Sequence, residues 1–454
     1  MKLKSDELFR TEPVLFTRRA LVMLIIPLMI EQTLTALMGV ADTLMVSTVG
    51  EASISGVTCV DSVNSLLLFV FESFGLGGSV LCAQYIGRKD HDAVRGVVRQ
   101  LMTFLPIVAI TVTGLCFVFA RQILRLLYSA MEADVFAEAI VYFRITLFSC
   151  PFLALYSAGA ALYRACGNSK LPVSVIAAGN ILNIIGNAIL IFGFRMGAAG
   201  AAWSTLFSRI FSCVILLTLQ YRSDSAITLR GMMQVPFSWA KSIRILRIGL
   251  PTAMENGMFQ LGKVIMQTIV VTLGTSVIAA QSLLTQFETL SSRPAMAVRI
   301  ALLTVVGQYL GAGRPDLARK FTDHFMNIAR VCCFVTGLFC VLICRPLCSV
   351  TALTPEAAKM VFDVLLFLAI IKVFLWPPSF MLMYCLKAAG DVKYPMWVSI
   401  LSMWTFRVAG ALVLTRFFHM GLWGVWAAWV CDWIARSILY TRRYRQGQWE
   451  HIRL

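Results

Sequence analysis

The chain is built from twelve apolar runs, each close to 20 residues or longer. They lie at about 20–46, 54–82, 97–120, 136–162, 172–193, 197–220, 248–273, 276–304, 326–344, 357–384, 395–417 and 420–440. A helix of roughly 20 apolar residues spans the ~30 Å hydrocarbon core of a bilayer. Lipid offers no partner to a backbone N–H or C=O, so each run must close its own hydrogen bonds as a helix. Period-2 alternation is absent, which excludes a transmembrane barrel. The expected fold class is all-α integral membrane, with twelve transmembrane helices. Composition agrees: of 454 residues, 59% are hydrophobic and only 14% charged, against about 25% charged in soluble domains.

The net charge of +17 would suggest nucleic-acid binding in a soluble chain. In a membrane protein its first meaning is orientation. With the N-terminus in the cytoplasm, 25 Lys and Arg fall on the cytoplasmic side and 6 on the outer side. That bias predicts a multi-pass protein of the plasma membrane with both termini cytoplasmic. The basic loops would attract anionic lipid, so the expected partners are membrane lipids and a small-molecule substrate, not nucleic acid. The first twenty residues lack the apolar core of a signal peptide, so the first span is expected to be retained. The longest connection, 221–247, mixes basic and aromatic residues, and its second half reads as an amphipathic helix on the membrane surface. Most of the thirteen Cys sit in apolar runs as small hydrophobes, and no disulfide is expected. All four His read as loop or tail residues.

The two halves repeat at a nearly constant offset. Pro27 and Glu31 match Pro251 and Glu255 at 224 residues; Gln84-Tyr85-Ile86-Gly87 matches Gln308-Tyr309-Leu310-Gly311 at 224. Gly167 to Pro172 matches Gly390 to Pro395 at 223, and Met196-Gly197-x-x-Gly200 matches Met420-Gly421-x-x-Gly424 at 224. Five ordered matches at one offset indicate duplication. The expected domains are a six-helix lobe over 1–220, a cytoplasmic linker over 221–247, and a second six-helix lobe with a basic tail over 248–454. Six is even, so both lobes enter the membrane in the same direction as parallel repeats. Two such bundles suit alternating access, with Pro27 and Pro251, which interrupt the first helix of each half, as hinges. A monomer is the expected assembly.

Several of these segments carry a family resemblance. Asp42-Thr-Leu-Met-Val near the end of helix one, Gln84-Tyr-Ile-Gly after helix two, and Gly167-Asn-Ser-Lys-Leu-Pro before helix five are among them. Asn180-Ile-Leu-Asn183-Ile-Ile-Gly-Asn187 in helix five, Gly197-x-x-Gly-Ala-Ala in helix six and Gly390-Asp-x-Lys-x-Pro before helix eleven complete the set. In this order the chain resembles the multidrug and toxic compound extrusion (MATE) family over nearly its full length. The resemblance implies two six-helix lobes and cation-coupled antiport that exports cationic amphiphiles.

A charge inside a bilayer costs several kcal/mol and needs a reason. Asp42, about 15 residues past Pro27, is a carboxylate able to bind a proton or a sodium ion. Asn183 and Asn187 are i,i+4 on one helix face, and Asn180 extends the stripe. With Thr205 on helix six they add neutral oxygens suited to a hard cation. By resemblance the cation-coupling site, and the ligands of a possible sodium ion, are Asp42, Asn183, Asn187 and Thr205. Many members carry a second Asp where Asn187 stands, so this chain has one titratable group fewer than a two-carboxylate relay uses. The alternative is polar glue between helices. No cofactor is expected beyond the coupling ion, sodium or proton.

The second lobe is not a copy. Met266, Arg407 and Trp429 stand at the repeat positions of Asp42, Asn183 and Thr205. Asn180, Glu255, Lys263, Gln281 and Arg407 are the expected substrate cavity. For Lys263 and Arg407, substrate binding and internal ion pairing remain open; for Asp432 and Arg436, i,i+4 on helix twelve, pairing is expected. Glu288 and Arg293 on helix eight are within reach of helix seven and are given no site role. A lipid-linked glycan flippase, whose cleft should be cationic, is the competing reading. An enzyme is not expected, since no nucleophile or metal constellation lies in the spans.

Overall fold

The computed structural model describes residues 15–128, 131–232, 235–350 and 354–452. Most of the basic N-terminal tail lies outside the described residues. Among those described the chain is almost wholly helical. In chain order the helices are α1 (Arg18–Ser47), α2 (Glu51–Gly87), α3 (His91–Val118), α4 (Ala120–Leu127), α5 (Ala133–Ala165), α6 (Lys170–Asn187) and α7 (Gly197–Arg222). The second half follows with α8 (Trp239–Val271), α9 (Thr275–Gly311), α10 (Pro315–Val350), α11 (Pro355–Ala389), α12 (Lys393–Ser402), α13 (Gly410–Arg416) and α14 (Gly421–Arg445). A π-helical stretch, Ala188–Gly193, prolongs α6, and another, Met403–Ala409, joins α12 to α13. Counting these continuous passages once, and leaving aside the short α4, twelve long helices match the twelve apolar runs. This is the all-α, twelve-helix, two-lobe layout expected from the sequence.

Among the described residues nine helices are long and apolar enough on their own to cross a membrane. The long helices outside that set are α8, α11 and α14. They carry Glu255 and Lys263, Lys372 and Lys387, and Asp432 and Arg436.

The repeat is written into the backbone. Left-handed φ values recur at Gly50 and Gly274, Lys89 and Gly313, Arg195 and His419, and Gly197 and Gly421, each pair 224 residues apart. Gly50 and Gly274 precede α2 and α9 with φ of 148° and 101°, a conformation that glycine adopts without a Cβ penalty.

The chain divides into two compact units. One, here the N unit, is residues 33–253; the other, the C unit, is residues 1–32 with 254–454. Both divisions fall inside a helix, five residues after Pro27 and two after Pro251, not in the 221–247 connection. The expected surface helix of that connection is replaced by the first turns of α8, which runs unbroken from Trp239. In the N unit Ile245 and Ile248 are buried, and a Cβ on Gly77 of α2 would lie 2.7 Å from the Ile245 carbonyl. The segment is held by close backbone packing against α2. Arg244 donates to the Tyr85 hydroxyl at 3.2 Å. In the C unit the repeat-equivalent Tyr309 hydroxyl accepts from the Leu15 and Phe16 amides at 3.1 and 3.4 Å. Thus the tyrosine of each Gln-Tyr-x-Gly segment anchors the approach to the first helix of the other half.

Candidate functional site

In the N unit, α6 and α7 pack closely because small residues face each other; Gly179 and Gly186 sit against Ser212 and Ser204. This places Asn183 beside Thr205, with Asn183 Nδ2 3.4 Å from Thr205 Oγ1. Ser204 Oγ donates to the Asn183 carbonyl at 2.8 Å. One turn on, Asn187 donates through Nδ2 to Asp42 Oδ1 at 2.7 Å and to Asn183 Oδ1 at 3.3 Å. With the Asn183 amide turned about, its nitrogen instead donates to Asp42 Oδ1 at 2.9 Å. The structure therefore brings Asp42, Asn183, Asn187 and Thr205 together. Asn183 and Asn187 are 4% and 1% exposed. Asn187 Oδ1 is buried without a hydrogen-bond partner, and an unpaired buried acceptor is costly. A carboxylate beside an unused amide oxygen is a donor set that fits a hard cation.

The cavity beside this cluster has a volume of about 180 Å³ and is lined by Asp42, Asn180, Asn183, Thr205 and Arg209, among others. Drug-sized ligands occupy pockets of about 300–1,000 Å³, so this space suits an ion and a few waters. Asn180, placed with the substrate residues by the sequence, lines this cavity.

Two charged residues here escaped the sequence reading. Arg209 of α7 shares the cavity with Asp42 and donates to Ser149 Oγ at 2.7 Å. Asp61 of α2 accepts from the Tyr142 hydroxyl at 3.1 Å. Asn64 donates to Thr146 Oγ1 at 3.1 Å, so Tyr142, Thr146 and Ser149 form a polar stripe on α5. Both residues were findable by the test that picked out Asp42, an ionisable side chain inside an apolar run.

The C unit holds a different chemistry. Glu255 Oε2 pairs with Lys387 Nζ at 2.8 Å, and its Oε1 accepts from Ser399 Oγ at 2.9 Å. Asp432 takes Arg407 Nη2 on Oδ2 and Arg436 Nε on Oδ1, both at 2.7 Å. Glu288 forms its close ion pair with Lys372 of α11 at 3.3 Å, because α9 and α11 are neighbours, and Lys263 of α8, the seventh long helix, acts on it electrostatically at longer range. Lys372 also donates to Ser291 and Ser292 at 2.6 Å. Arg293 reaches Gln32 of α1 at 3.4 Å. Gln281 is buried, donates to Thr285 at 3.3 Å and leaves Oε1 unpartnered. Lys263 is exposed, with Nζ 5.2 Å from the Phe259 ring centre. Of the expected cavity residues, then, Glu255 and Arg407 are buried in ion pairs and Lys263 is exposed. Trp426 and Trp433 are buried and flank Trp429 with tilted rings, at 4.5 and 6.5 Å between centres. His324, expected in a loop, lies in α10.

Comparison with known proteins fits this layout. The MatE family model matches the chain twice, over residues 27–189 and 251–413, two stretches offset by the 224 residues of the internal repeat. A probable multidrug resistance protein NorM of Thermotoga maritima is 27% identical over 440 residues, covering 95% of this chain and 93% of that protein. An uncharacterized transporter, YisQ, of Bacillus subtilis is 24% identical, covering 93% of each. The crystal structure of a MATE protein in a bent conformation superimposes with a TM-score of 0.88 at 20% identity, covering 98% of this chain and 97% of that one.

Proposed function

The chain belongs to the MatE family, and from that premise we propose that it is a secondary active exporter of small organic compounds, driven by inward flow of sodium or protons. Its family is one of multi-pass membrane transporters. The observation that carries the coupling role is the contact of Asp42 with Asn187, beside an unpartnered buried amide oxygen and an ion-sized cavity.

The proposed mechanism uses the N unit as the ion switch. With no ion bound, Asn187, and Asn183 with its amide turned about, stabilise the Asp42 carboxylate through N–H donors. A sodium ion, or a proton on Asp42, displaces those donors, and the asparagine oxygens turn to the cation. The cluster spans α1, α6 and α7, so a change of partner at Asp42 alters the packing of the α1 half beyond Pro27. A ligand shifts a conformational equilibrium only by its differential affinity for the two states. The Asp42 cluster supplies that difference for the ion. We further propose a plasma-membrane location with both termini cytoplasmic, and a monomeric transporter.

The relatives' names favour drug-like cargo. A cationic cargo would look for a free carboxylate, yet Glu255, Glu288 and Asp432 in the C unit are each engaged by Lys or Arg. That observation keeps the flippase alternative, which needs a cationic cleft. The test is transport in proteoliposomes under an imposed sodium or pH gradient. Gradient-driven movement of an organic dye that Asp42→Asn abolishes is expected. Equal transport by Asp42→Asn would refute the coupling role.

A further inference from the structure

The duplicated fold places two comparable spots at equivalent helix positions, and their polarity is opposite. In the N unit the spot is built of Asp42, Asn183 and Thr205, all offering oxygen. In the C unit the same repeat positions hold Met266, Arg407 and Trp429. The local geometry persists through this exchange: Asn183 lies 3.4 Å from Thr205, and the Arg407 guanidinium carbon lies 4.2 Å from the Trp429 ring centre. Two of the three residues have been replaced by N–H donors, Arg407 and Trp429, and the carboxylate by the uncharged thioether of Met266.

The C-unit spot has more donors and positive charge than its own acceptors can satisfy. Lys263, Arg407 and Arg436 all approach the Phe259 ring, at 5.2, 5.1 and 5.6 Å from its centre. Lys263 and Arg407 are therefore no further apart than the sum of their two distances. Two carboxylates act on this cluster: Asp432, both of whose oxygens are bound by arginine, and Glu288, which faces Lys263 and Arg407 but is paired with Lys372. Arg407 is 2% exposed, yet its Nε has no acceptor, and neither do the indole nitrogens of Trp429 and Trp433. Unpaired donors next to a net positive charge in a poorly screened region are costly. What satisfies both deficits at once is an anion rich in acceptor oxygens. The aromatic rings of Phe259, Trp429 and Trp433 supply apolar surface beside it.

We infer that this C-unit spot is an oxyanion site, at which Lys263 and Arg407 receive the carboxylate, sulfonate or phosphate head of an amphiphilic organic substrate. The inference rests on the transporter reading and names its substrate class. Lys263 is exposed and would make first contact. Arg407, held by Asp432, would present Nε as a fixed donor. The Asp432–Arg436 pair then has a purpose besides rigidity: it sets Arg407 in place without fully neutralising it.

The test is equilibrium binding without any ion gradient, using full-length protein in phosphatidylcholine nanodiscs and empty nanodiscs as the blank. Two xanthene dyes of similar shape serve as probes, anionic carboxyfluorescein and cationic rhodamine 123. Wild type is expected to bind carboxyfluorescein at least tenfold more tightly. Lys263→Glu should abolish that preference, and Lys263→Arg should keep it. Naphthalene-1-sulfonate and farnesyl diphosphate are competitors that separate a soluble anion from a lipid-linked one, and displacement by either supports the site. Tighter binding of rhodamine 123, an unchanged preference in Lys263→Glu, or displacement by neither competitor would overturn it. Binding is measured without a gradient, so the loss of anion selectivity in Lys263→Glu is read apart from the loss of gradient-driven transport in Asp42→Asn.

Discussion

Asn187 reaches from the last turn of α6 to Asp42 of α1 and donates to its carboxylate at 2.7 Å. This bond ties the carboxylate of the candidate coupling site to an amide whose oxygen is buried and unused. Asn187→Ala removes both the donor and the candidate ligand oxygen. It is expected to raise the ion concentration for half-maximal transport about tenfold or more, the effect of about 1.4 kcal/mol or above of lost ion affinity. Titration of transport rate against sodium and against pH identifies which ion is affected. Asn187→Asp should add a second acidic step to the pH profile of dye transport.

The Lys387–Glu255 pair is buried on both sides, at 2% and 7% side-chain exposure. Lys387→Met leaves Glu255 without its counter-charge, and breaking a buried pair in this way costs about 3–5 kcal/mol. A large fall in the melting temperature of the purified protein is expected. The double variant Lys387→Met with Glu255→Gln should recover most of it.

The arginines of the Asp432 triad are not equal to the aspartate. Arg436→Ala leaves Asp432 still paired with Arg407. Asp432→Asn strands two buried guanidinium groups in one place. The aspartate variant is therefore expected to be the less stable of the two, by detergent-solubilised size-exclusion profile after heating.

Backbone approach, not charge, limits substitution where α2 meets the start of α8. A Cβ on Gly249 would stand 2.8 Å from a Phe74 ring carbon and 3.2 Å from the Ser73 carbonyl. Gly249→Val should destabilise the protein by about 1–3 kcal/mol through overpacking. A Cβ on Gly257, further along the same helix, would meet nothing within 4 Å. Gly257→Ala should stabilise it by up to about 1 kcal/mol through helix propensity. Thermal unfolding of the two variants side by side checks the contrast.

The number and order of long helices could be read from the apolar runs because lipid permits little else. Their ends could not. The apolar run at 326–344 becomes a helix beginning at Pro315, since Leu317, Ala318, Phe321 and Phe325 form a buried stripe in a stretch too polar to register as a span. The Asp42 cluster was legible because its parts repeat along α6 at i,i+4 and carry the family pattern. The partners of the C-unit charges were not. Asp432 with Arg436 follows from spacing on one helix, but Arg407, Lys387 and Lys372 join their carboxylates from other helices. Nothing local in the sequence announces such a pairing.

The division of the two units inside α1 and α8 bears on how the protein is made. Leu15 and Phe16 find their partner in Tyr309, nearly 300 residues later in the chain. The ribosome thus releases the first residues of the C unit long before anything exists for them to bind. The N unit, which needs only residues up to 253, can close first. The opening turns of α1 must stay in the membrane, inserted but unassembled, until α9 emerges. Contacts this distant in sequence are slow to form. Assembly of the C unit is therefore the late step of biogenesis, and the one most exposed to chaperones and membrane proteases.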